Sequence, residues 1–321
     1  MEQSARPNLA HAGATLLQDH PFAIDLNLTT PNTMELKPEV PFVTPRQAAT
    51  VVMLRDGSTG LEVFLVKRHG LSDVLGGAYV FPGGKLDESD TQVDAATHLD
   101  QDATHLHAAL GEPDIAPSHA TGLYVAALRE AFEESGVLFT ANAAAAHAAQ
   151  AQAPSLPFNQ LLAQLGLRLQ TSAVLPWARW ITPQVPPHTA KRFDTRFFVA
   201  TAPSDQEARH DNHEATESVW LAPRAALDQY WSREIELAPP QILSLAQLSR
   251  HASVASVLQS ARNQPPPVIL PHALIEDGAL TLCFPGDPKH PVATRALPGP
   301  TRLVQRNNRF EPPEGFASLF D

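Results

Sequence analysis

One predicted helix limits the possible folds of this chain more than any other feature, because its two sides need different surroundings. Apolar residues recur at helical spacing over residues 122–136, and the glycine at position 136 ends the run. With about 100° of rotation per residue, Glu133 and Glu134 lie within about 60° of Glu130. The opposite side carries an apolar stripe of Val125, Leu128 and Phe132. We therefore expect this helix to pack on a sheet along one side and to present three carboxylates along the other.

Short runs rich in β-branched and aromatic residues supply the predicted sheet. Residues 51–54 and 61–66 flank a turn that contains Asp56, Gly57 and Gly60, which predicts a hairpin with a loop longer than two residues. Further strands are predicted within residues 78–81, 173–183, 196–202 and 218–223, and further helices within residues 141–154, 158–169, 224–231 and 239–261. This mixture indicates an α/β or α+β domain.

Changes in composition along the chain indicate three segments. Residues 1–44 mix prolines and polar residues without a clear period, and we expect an N-terminal arm. Residues 45–236 hold most of the predicted strands and the acidic helix, and form the predicted main domain. Residues 237–321 form a helical and proline-rich C-terminal extension that packs on the main domain. We consider two alternative roles for this extension: it covers the active site, or it forms a homodimer.

The composition argues against several classes of function. The 321 residues include 23 Lys and Arg against 34 Asp and Glu, and the net charge of −11 argues against a nucleic-acid partner. The single cysteine, Cys283, excludes an intrachain disulfide and a zinc site with several thiolates. Residues 1–30 lack the basic start and unbroken apolar run of a signal peptide, and no stretch is long enough to cross a bilayer. We expect a cytoplasmic protein that does not associate with membranes.

The three carboxylates on one helix face allow two interpretations. In the first, they form a solvated acidic face whose charge is compensated by Arg129 and other cations. In the second, they bind a cation that removes the repulsion between acids three and four residues apart, at the negative end of a helix. The Pro-Gly-Gly turn at residues 82–84 favours the second interpretation, because glycine lets a backbone carbonyl face a ligand closely. Ligand sets made only of oxygen atoms suit Mg²⁺ or Mn²⁺.

The same residues match a known motif. Gly84 is followed after five residues by Asp90, and an Arg-Glu-x-x-Glu-Glu-x-Gly segment begins at Arg129. This arrangement resembles the Nudix box, although the box has Glu at the position of Asp90 and only seven residues where this chain has 38. The resemblance implies an α/β fold, a Nudix α/β/α sandwich with a mixed sheet, and an insertion of about residues 91–120 inside the box.

A long insertion at this point is typical of the Nudix branch that resembles the peroxisomal acyl-coenzyme A diphosphatases. Three further elements of this chain are similar to that branch: residues 180–183, 192–198 and 285–287. The resemblance implies a metal-dependent hydrolase that cleaves the diphosphate of a nucleoside diphosphate derivative, coenzyme A or acyl-coenzyme A before others. Two alternatives stay open, an ADP-ribose or nucleotide-sugar diphosphatase and a module that senses a nucleotide without hydrolysing it.

The resemblance also implies roles for individual residues. The implied ligands of Mg²⁺ or Mn²⁺ are the carbonyl oxygen of Gly83 and the carboxylates of Glu130, Glu133 and Glu134. Arg129 is implied to orient a glutamate through a charge-assisted hydrogen bond, and Asp90 to brace the loop against the helix. The general base varies among Nudix enzymes. Glu217 is the first candidate and Glu214 the second, and the alternative for each is a surface residue without a catalytic role.

Arginines are the candidates for contacts with substrate phosphates. They are Arg68, Arg192 and Arg196, and the alternative is that Asp194 pairs with an arginine of its own strand. A coenzyme A signature of Nudix enzymes is matched at Gly77 and at residues 81–84, but Asp73 stands where that signature has arginine. Lys67 is a further candidate for that missing positive charge.

Aromatic and histidine side chains are assigned mainly structural roles. Trp177, Trp180 and Phe193 are predicted core residues, and the alternative is stacking on a base or lining an acyl groove. The insertion is predicted to be a flexible polar loop rather than a metal site, although it carries four histidines: His98, His105, His107 and His119.

Overall fold

The computed structural model describes residues 43–70, 75–152, 156–185, 191–211 and 215–321. The arm predicted for residues 1–44 therefore falls outside the described residues, apart from its last two positions. None of the helices in the described part of the chain is long and apolar enough to span a bilayer.

An eight-stranded mixed sheet forms the centre of the molecule. Its strands are β1 (Arg46–Gly57), β2 (Gly60–Arg68), β3 (Tyr79–Val80), β4 (Gly83–Lys85), β5 (Val174–Ile181), β6 (Phe193–Thr201), β7 (Ala215–Leu221) and β8 (Val268–Ile269). The order is β3-β2-β1-β6-β5-β8, with β4 paired to β1 and β7 paired to β2. The β1–β6 and β5–β8 pairs are parallel and the other pairs are antiparallel.

Helices cover both faces of this sheet. They are α1 (Glu88–Thr91), α2 (Ala95–His98), α3 (Ala103–Leu110), α4 (Pro117–Ser135), α5 (Ala143–Gln152), α6 (Phe158–Leu165), α7 (Pro223–Trp231), α8 (Pro239–Leu248) and α9 (Val254–Asn263). Alternate residues of β1 enter different cores, since successive strand residues point to opposite faces. Val51 and Met53 pack in the core that contains α4, whereas Val52 and Leu54 pack in the opposite core with α8. The predicted α/β fold with a mixed sheet is confirmed.

Helix α4 begins five residues before the predicted start at 122. Pro117 occupies the first turn, where its missing N–H costs nothing, and Gly136 ends the helix with a φ of 71°. The predicted stripe of Val125, Leu128 and Phe132 is buried. The acidic side is more enclosed than an exposed face would be, because Arg129 and Glu134 are also buried.

Two local expectations were wrong. The β1–β2 hairpin has only two residues, 58 and 59, between its strands, because the strands extend through the predicted turn until Gly57 pairs with Gly60. The insertion at residues 91–120 is not a flexible polar loop but contains α2, α3 and the start of α4, and Leu99, Leu106 and Leu110 anchor it in the core. Two of its histidines contact backbone carbonyls, His98 that of Leu167 (2.9 Å) and His107 that of Glu112 (3.1 Å).

The C-terminal extension contains a second sheet in addition to α8 and α9. Its antiparallel strands are β9 (His272–Glu276), β10 (Ala279–Cys283), β11 (Arg302–Arg306) and β12 (Arg309–Glu311). Phe284 packs against Trp180 of the first sheet with ring centres 6.1 Å apart, and the Tyr230 hydroxyl donates to the Phe310 carbonyl. The segment boundaries, and a role of the extension in covering the active site or in a homodimer, stay predictions.

Candidate active site

The Gly83–Gly84 turn brings the sheet against the acidic end of α4. Strand β4 pairs with β1 so that Gly83 lies opposite Thr50 and Gly84 opposite Ala49. A Cβ atom on Gly84 would meet the end of the flexible Glu130 side chain, so glycine leaves this carboxylate its place against the turn. A Cβ atom on Gly83 would lie 2.6 Å from the backbone oxygen of Ala49. Close approach of the backbone thus requires glycine at position 83, whereas glycine at position 84 leaves space for the Glu130 carboxylate.

Glu134 is tied directly to this turn. Its side chain is buried, and its Oε2 accepts a hydrogen bond of 3.0 Å from the backbone N–H of Gly83. The structure thus brings together two of the residues predicted to bind a metal, through the amide of Gly83 rather than its carbonyl. The carbonyl of Gly83 as a ligand stays a prediction.

Arg129 connects four acceptor groups around the box. Its Nε and Nη2 donate to the two carboxylate oxygens of Asp90 at 2.9 and 3.0 Å, and Nη2 also donates to the Lys85 carbonyl at 2.9 Å. Its Nη1 donates to Oε1 of Glu130 at 2.7 Å and to Oε2 of Glu133 at 2.8 Å. These contacts are the ones that an orienting role for Arg129 and a bracing role for Asp90 require.

The charge of the Arg129 guanidinium also reduces the repulsion between the neighbouring carboxylates. Burial acts to lower the pKa of Arg129, but the hydrogen bond to Asp90 and the charges of Glu130, Asp90 and Glu133 outweigh it and raise the pKa. Arg129 is thus charged, and its positive charge compensates part of the negative charge of the closely spaced acids. This one guanidinium lies within 4 Å of four carboxylates, those of Asp87, Asp90, Glu130 and Glu133, so negative charge remains in excess.

The donor set fits a hard divalent cation in its chemistry, because it consists of carboxylate and backbone oxygens. In the described residues, no three His, Cys, Asp or Glu side chains already converge as a metal cluster. Arg129 occupies one oxygen each of Glu130 and Glu133. Glu133 keeps 46% of its side chain exposed, and burial of the remainder raises its pKa against the opposing effect of Arg129.

The predicted general base lies apart from these acids. Glu217 is opposite Lys67 in the β2–β7 register, on the sheet face that carries Tyr79 rather than the face that carries α4. Its side chain is 55% exposed and lies 3.6 Å from Nζ of Lys67. Burial raises the pKa of Tyr79, and a hydrogen bond with Glu217 adds to that shift. The structure does not bring Glu217 to the acidic end of α4, and Glu214 lies outside the described residues.

The three arginines predicted to contact phosphates occupy different environments. Arg192 is buried and donates to the backbone oxygens of Thr182 (2.9 Å) and Val43 (2.7 Å), which is a structural use of its guanidinium. Arg196 is buried and lies 3.2 Å from Asp194, so the alternative of a pair within the strand applies to it. Arg68 is partly buried, and its Nε has no hydrogen-bond partner in the described part of the chain. Asp73 lies outside that part.

Sequence reasoning missed two charged residues beside Arg196. Glu112 of the insertion and Arg179 of β5 both contact the Arg196–Asp194 pair. The alternation of β5 could have suggested that Arg179 shares a face with its strand neighbours, but only the strand register places it opposite Arg196. Trp177 and Trp180 are buried in the core opposite α4, as predicted, whereas Phe193 is only partly buried.

Comparison with known proteins agrees with this geometry. The profile of the NUDT19 Nudix domain matches residues 45–248. The acyl-coenzyme A diphosphatase NUDT19 of Xenopus laevis is 25% identical over 282 residues, which cover 74% of this chain and 73% of that protein. The protein of the same name from Gallus gallus is 28% identical over 240 residues, covering 62% of this chain and 64% of that protein.

A solved structure shows the same fold. The crystal structure of a Nudix hydrolase from Alicyclobacillus acidocaldarius is 26% identical, with a TM-score of 0.56 over 70% of this chain and 99% of that chain. The α/β architecture is thus that of a Nudix hydrolase, an enzyme that acts on anhydride bonds. Because the matching profile covers more than half of the sequence, the chain belongs to the NUDT19 Nudix domain family.

Proposed function

We propose that this protein is a diphosphatase dependent on Mg²⁺ or Mn²⁺ that cleaves coenzyme A or acyl-coenzyme A. The products would be a phosphopantetheine compound and adenosine 3′,5′-bisphosphate. The observation that carries the proposal is the attachment of Glu134 to the Gly83 amide beside the Glu130–Arg129–Glu133 group. The names of the relatives from Xenopus laevis and Gallus gallus support the choice of substrate.

The residues that would hold the metal are Glu130, Glu133 and Glu134, together with the carbonyl oxygen of Gly83. When bound, a divalent ion supplies neutralisation of the charge that develops on the diphosphate and activation of water. The excess of negative charge around Arg129 favours such an ion. Glu133 is the acid best placed to exchange its contact with Arg129 for a ligand, since nearly half of its side chain is exposed.

The other residues of the box would fix the positions of these acids. Gly84 lets the Glu130 carboxylate lie against the sheet, and the Gly83 amide holds Glu134. Arg129, itself held by Asp90, restricts the rotamers of Glu130 and Glu133. Such prearrangement reduces the conformational entropy that is lost when a ligand binds.

Hydrolysis by the purified full-length protein tests the proposal. The substrates are coenzyme A, several acyl-coenzyme A esters, ADP-ribose and UDP-glucose, each with Mg²⁺ or Mn²⁺. We expect release of adenosine 3′,5′-bisphosphate, and we expect Glu134→Gln to lower kcat by about a hundredfold or more. The matched control is Glu88→Gln, which removes an exposed acid two residues before Asp90 and leaves the rate unchanged.

Two other outcomes would contradict part of the proposed function. Cleavage of ADP-ribose or UDP-glucose alone would retain the metal-dependent chemistry and contradict coenzyme A as the substrate. Binding of nucleotide without turnover of any compound, at metal concentrations that saturate the site, would contradict hydrolysis and support a nucleotide-sensing module.

A further inference from the structure

A group of four charged residues, two of them buried and two partly buried, lies beside the box on the same side of the sheet. We call Arg179, Asp194, Arg196 and Glu112 the charged quartet. Arg179 Nη1 lies 2.9 Å from Oε2 of Glu112, and Nε of Arg196 donates to Oε1 of Glu112 at 2.9 Å. Nη2 of Arg196 also contacts Oε2 of Glu112. Two guanidinium groups therefore hold one carboxylate.

Strand register places this quartet relative to the box. Gly84, Ala49, Arg196 and Arg179 are successive partners across β4, β1, β6 and β5. Directly opposed residues point to the same face, and Ala49 belongs to the core that contains α4. Arg196 is thus two strand spacings from Gly84, about 10 Å. The Glu130 carboxylate lies over Gly84, so the two arginines stand beside the predicted metal ligands rather than behind the sheet.

The two arginines need an anion. Arg179 and Arg196 are directly opposed in neighbouring strands, where like charges repel each other. Asp194 neutralises one of them, with Arg179 Nε and Nη2 donating to it at 2.8 and 2.7 Å. The second neutralising group is Glu112, which comes from a different part of the chain. A guanidinium fork binds carboxylate and phosphate with the same bidentate geometry, so the oxygens of Glu112 mark positions that phosphate oxygens can occupy.

Glu112 is the member of the quartet that can leave. It lies in the loop between α3 and α4, and its backbone oxygen is held independently of its side chain by the amide of Ile115 (3.2 Å) and by His107 (3.1 Å). Rotation of the side chain alone would expose the two guanidinium groups. Asp194 lies within strand β6, and its carboxylate accepts two hydrogen bonds from Arg179 of the neighbouring strand. Departure of Glu112 leaves a positively charged site, since among the residues that the structure describes only Asp194 then opposes the two arginines.

We propose that Arg179 and Arg196 bind a phosphate group of the substrate other than the diphosphate, and that Glu112 of the insertion occupies this site until substrate displaces it. This inference rests on the proposed function, in that the substrate must carry a phosphate that reaches β6 and β5 while its diphosphate lies at the box. The insertion inside the box thereby has a function, because it carries Glu112, whose carboxylate competes with the substrate phosphate for the two arginines.

Binding measured without catalysis tests this site. Isothermal titration calorimetry of the full chain, in a chelator and at constant ionic strength, would compare adenosine 3′,5′-bisphosphate with adenosine 5′-monophosphate. We expect Glu112→Gln to lower the Kd of the bisphosphate by about tenfold, since it removes the competing charge, and to change that of the monophosphate little. Asp114→Asn, which removes an exposed acid from the same loop, is the matched control and leaves both values unchanged.

A second variant keeps the inference falsifiable if Glu112→Gln does not fold. Arg179→Gln, at a partly exposed position, is expected to raise the KM for coenzyme A about tenfold and to leave that for 3′-dephospho-coenzyme A unchanged. Equal bisphosphate affinities of wild type and Glu112→Gln, or equal effects of Arg179→Gln on the two substrates, would overturn the proposed site.

The two proposals fail separately. Tighter bisphosphate binding by Glu112→Gln with no turnover of any diphosphate would retain the phosphate site and refute the proposed function. Turnover of coenzyme A with no effect of either variant would do the reverse.

Discussion

Replacement of Arg129 by methionine tests the central contact of the box most directly. Methionine fills similar space but cannot donate, so Asp90, which is only 2% exposed, would keep a buried charge without its partner. Two charge-assisted hydrogen bonds, from Nε and Nη2, join these residues. A buried pair that loses one member costs about 3–5 kcal/mol, and we expect the free energy of unfolding to fall by that amount.

Urea denaturation of four proteins measures this effect: wild type, Arg129→Met, Asp90→Asn and the double variant. We expect the double variant to be less destabilised than the sum of the two single changes, with a coupling energy of about 1.5 kcal/mol or more. Arg209→Met is the matched control, because Arg209 pairs with Glu207 on the surface, where such pairs contribute less than about 1 kcal/mol. If Arg129→Met costs no more than Arg209→Met, the buried pair does not stabilise the box and our reasoning is wrong.

Three further substitutions separate function from stability. Gly84→Ala would push the flexible Glu130 carboxylate from its place, so we expect kcat to fall by about tenfold or more while the urea midpoint changes little. Gly83→Ala would meet the side chain of Thr50 and a backbone oxygen, and we expect a loss of about 1–3 kcal/mol in the free energy of unfolding. Leu106→Ala would leave a cavity under the insertion and cost about 2–5 kcal/mol; a loss below about 1 kcal/mol would show that the insertion folds independently of the core.

The sequence predicts the central sheet and α4 well because their signals are local and strong. The apolar run of β1 and the helical stripe of α4 each show their period over many residues. The prediction of a flexible polar loop for the insertion was wrong because its helices are short. Its three buried leucines are also separated by many polar residues, so they show no clear helical period. Two signals were available, Asp94 and Asp102, whose side chains accept hydrogen bonds from the first turns of α2 and α3.

The candidate site likewise contains some contacts that the sequence predicts and others that it does not. Arg129, Glu130, Glu133 and Glu134 lie within two turns of one helix, so helix geometry fixes their relative positions and the motif could predict them. Glu112 and Arg196 are 84 residues apart, and Arg179 joins them only through the β5–β6 register. Contacts of this kind depend on strand pairing, which a single sequence does not specify. Glu217 was predicted as the base without knowledge of its strand pairing, and the register places it on the other face of the sheet.

The structure explains how the box accommodates an insertion between its two halves. The N-terminal half completes its contacts before the chain departs, since Asp90 binds Arg129 and Lys85 presents its carbonyl to the same guanidinium. The chain returns at Pro117, three helical turns before Arg129, so the geometry of α4 at the acids does not depend on the length of the detour. An insertion at this point leaves Glu130, Glu133 and Glu134 in the same positions on α4, and its loop at Glu112 reaches across to β6. The same arrangement that preserves the acids thus allows the inserted residues to control access to a neighbouring binding site.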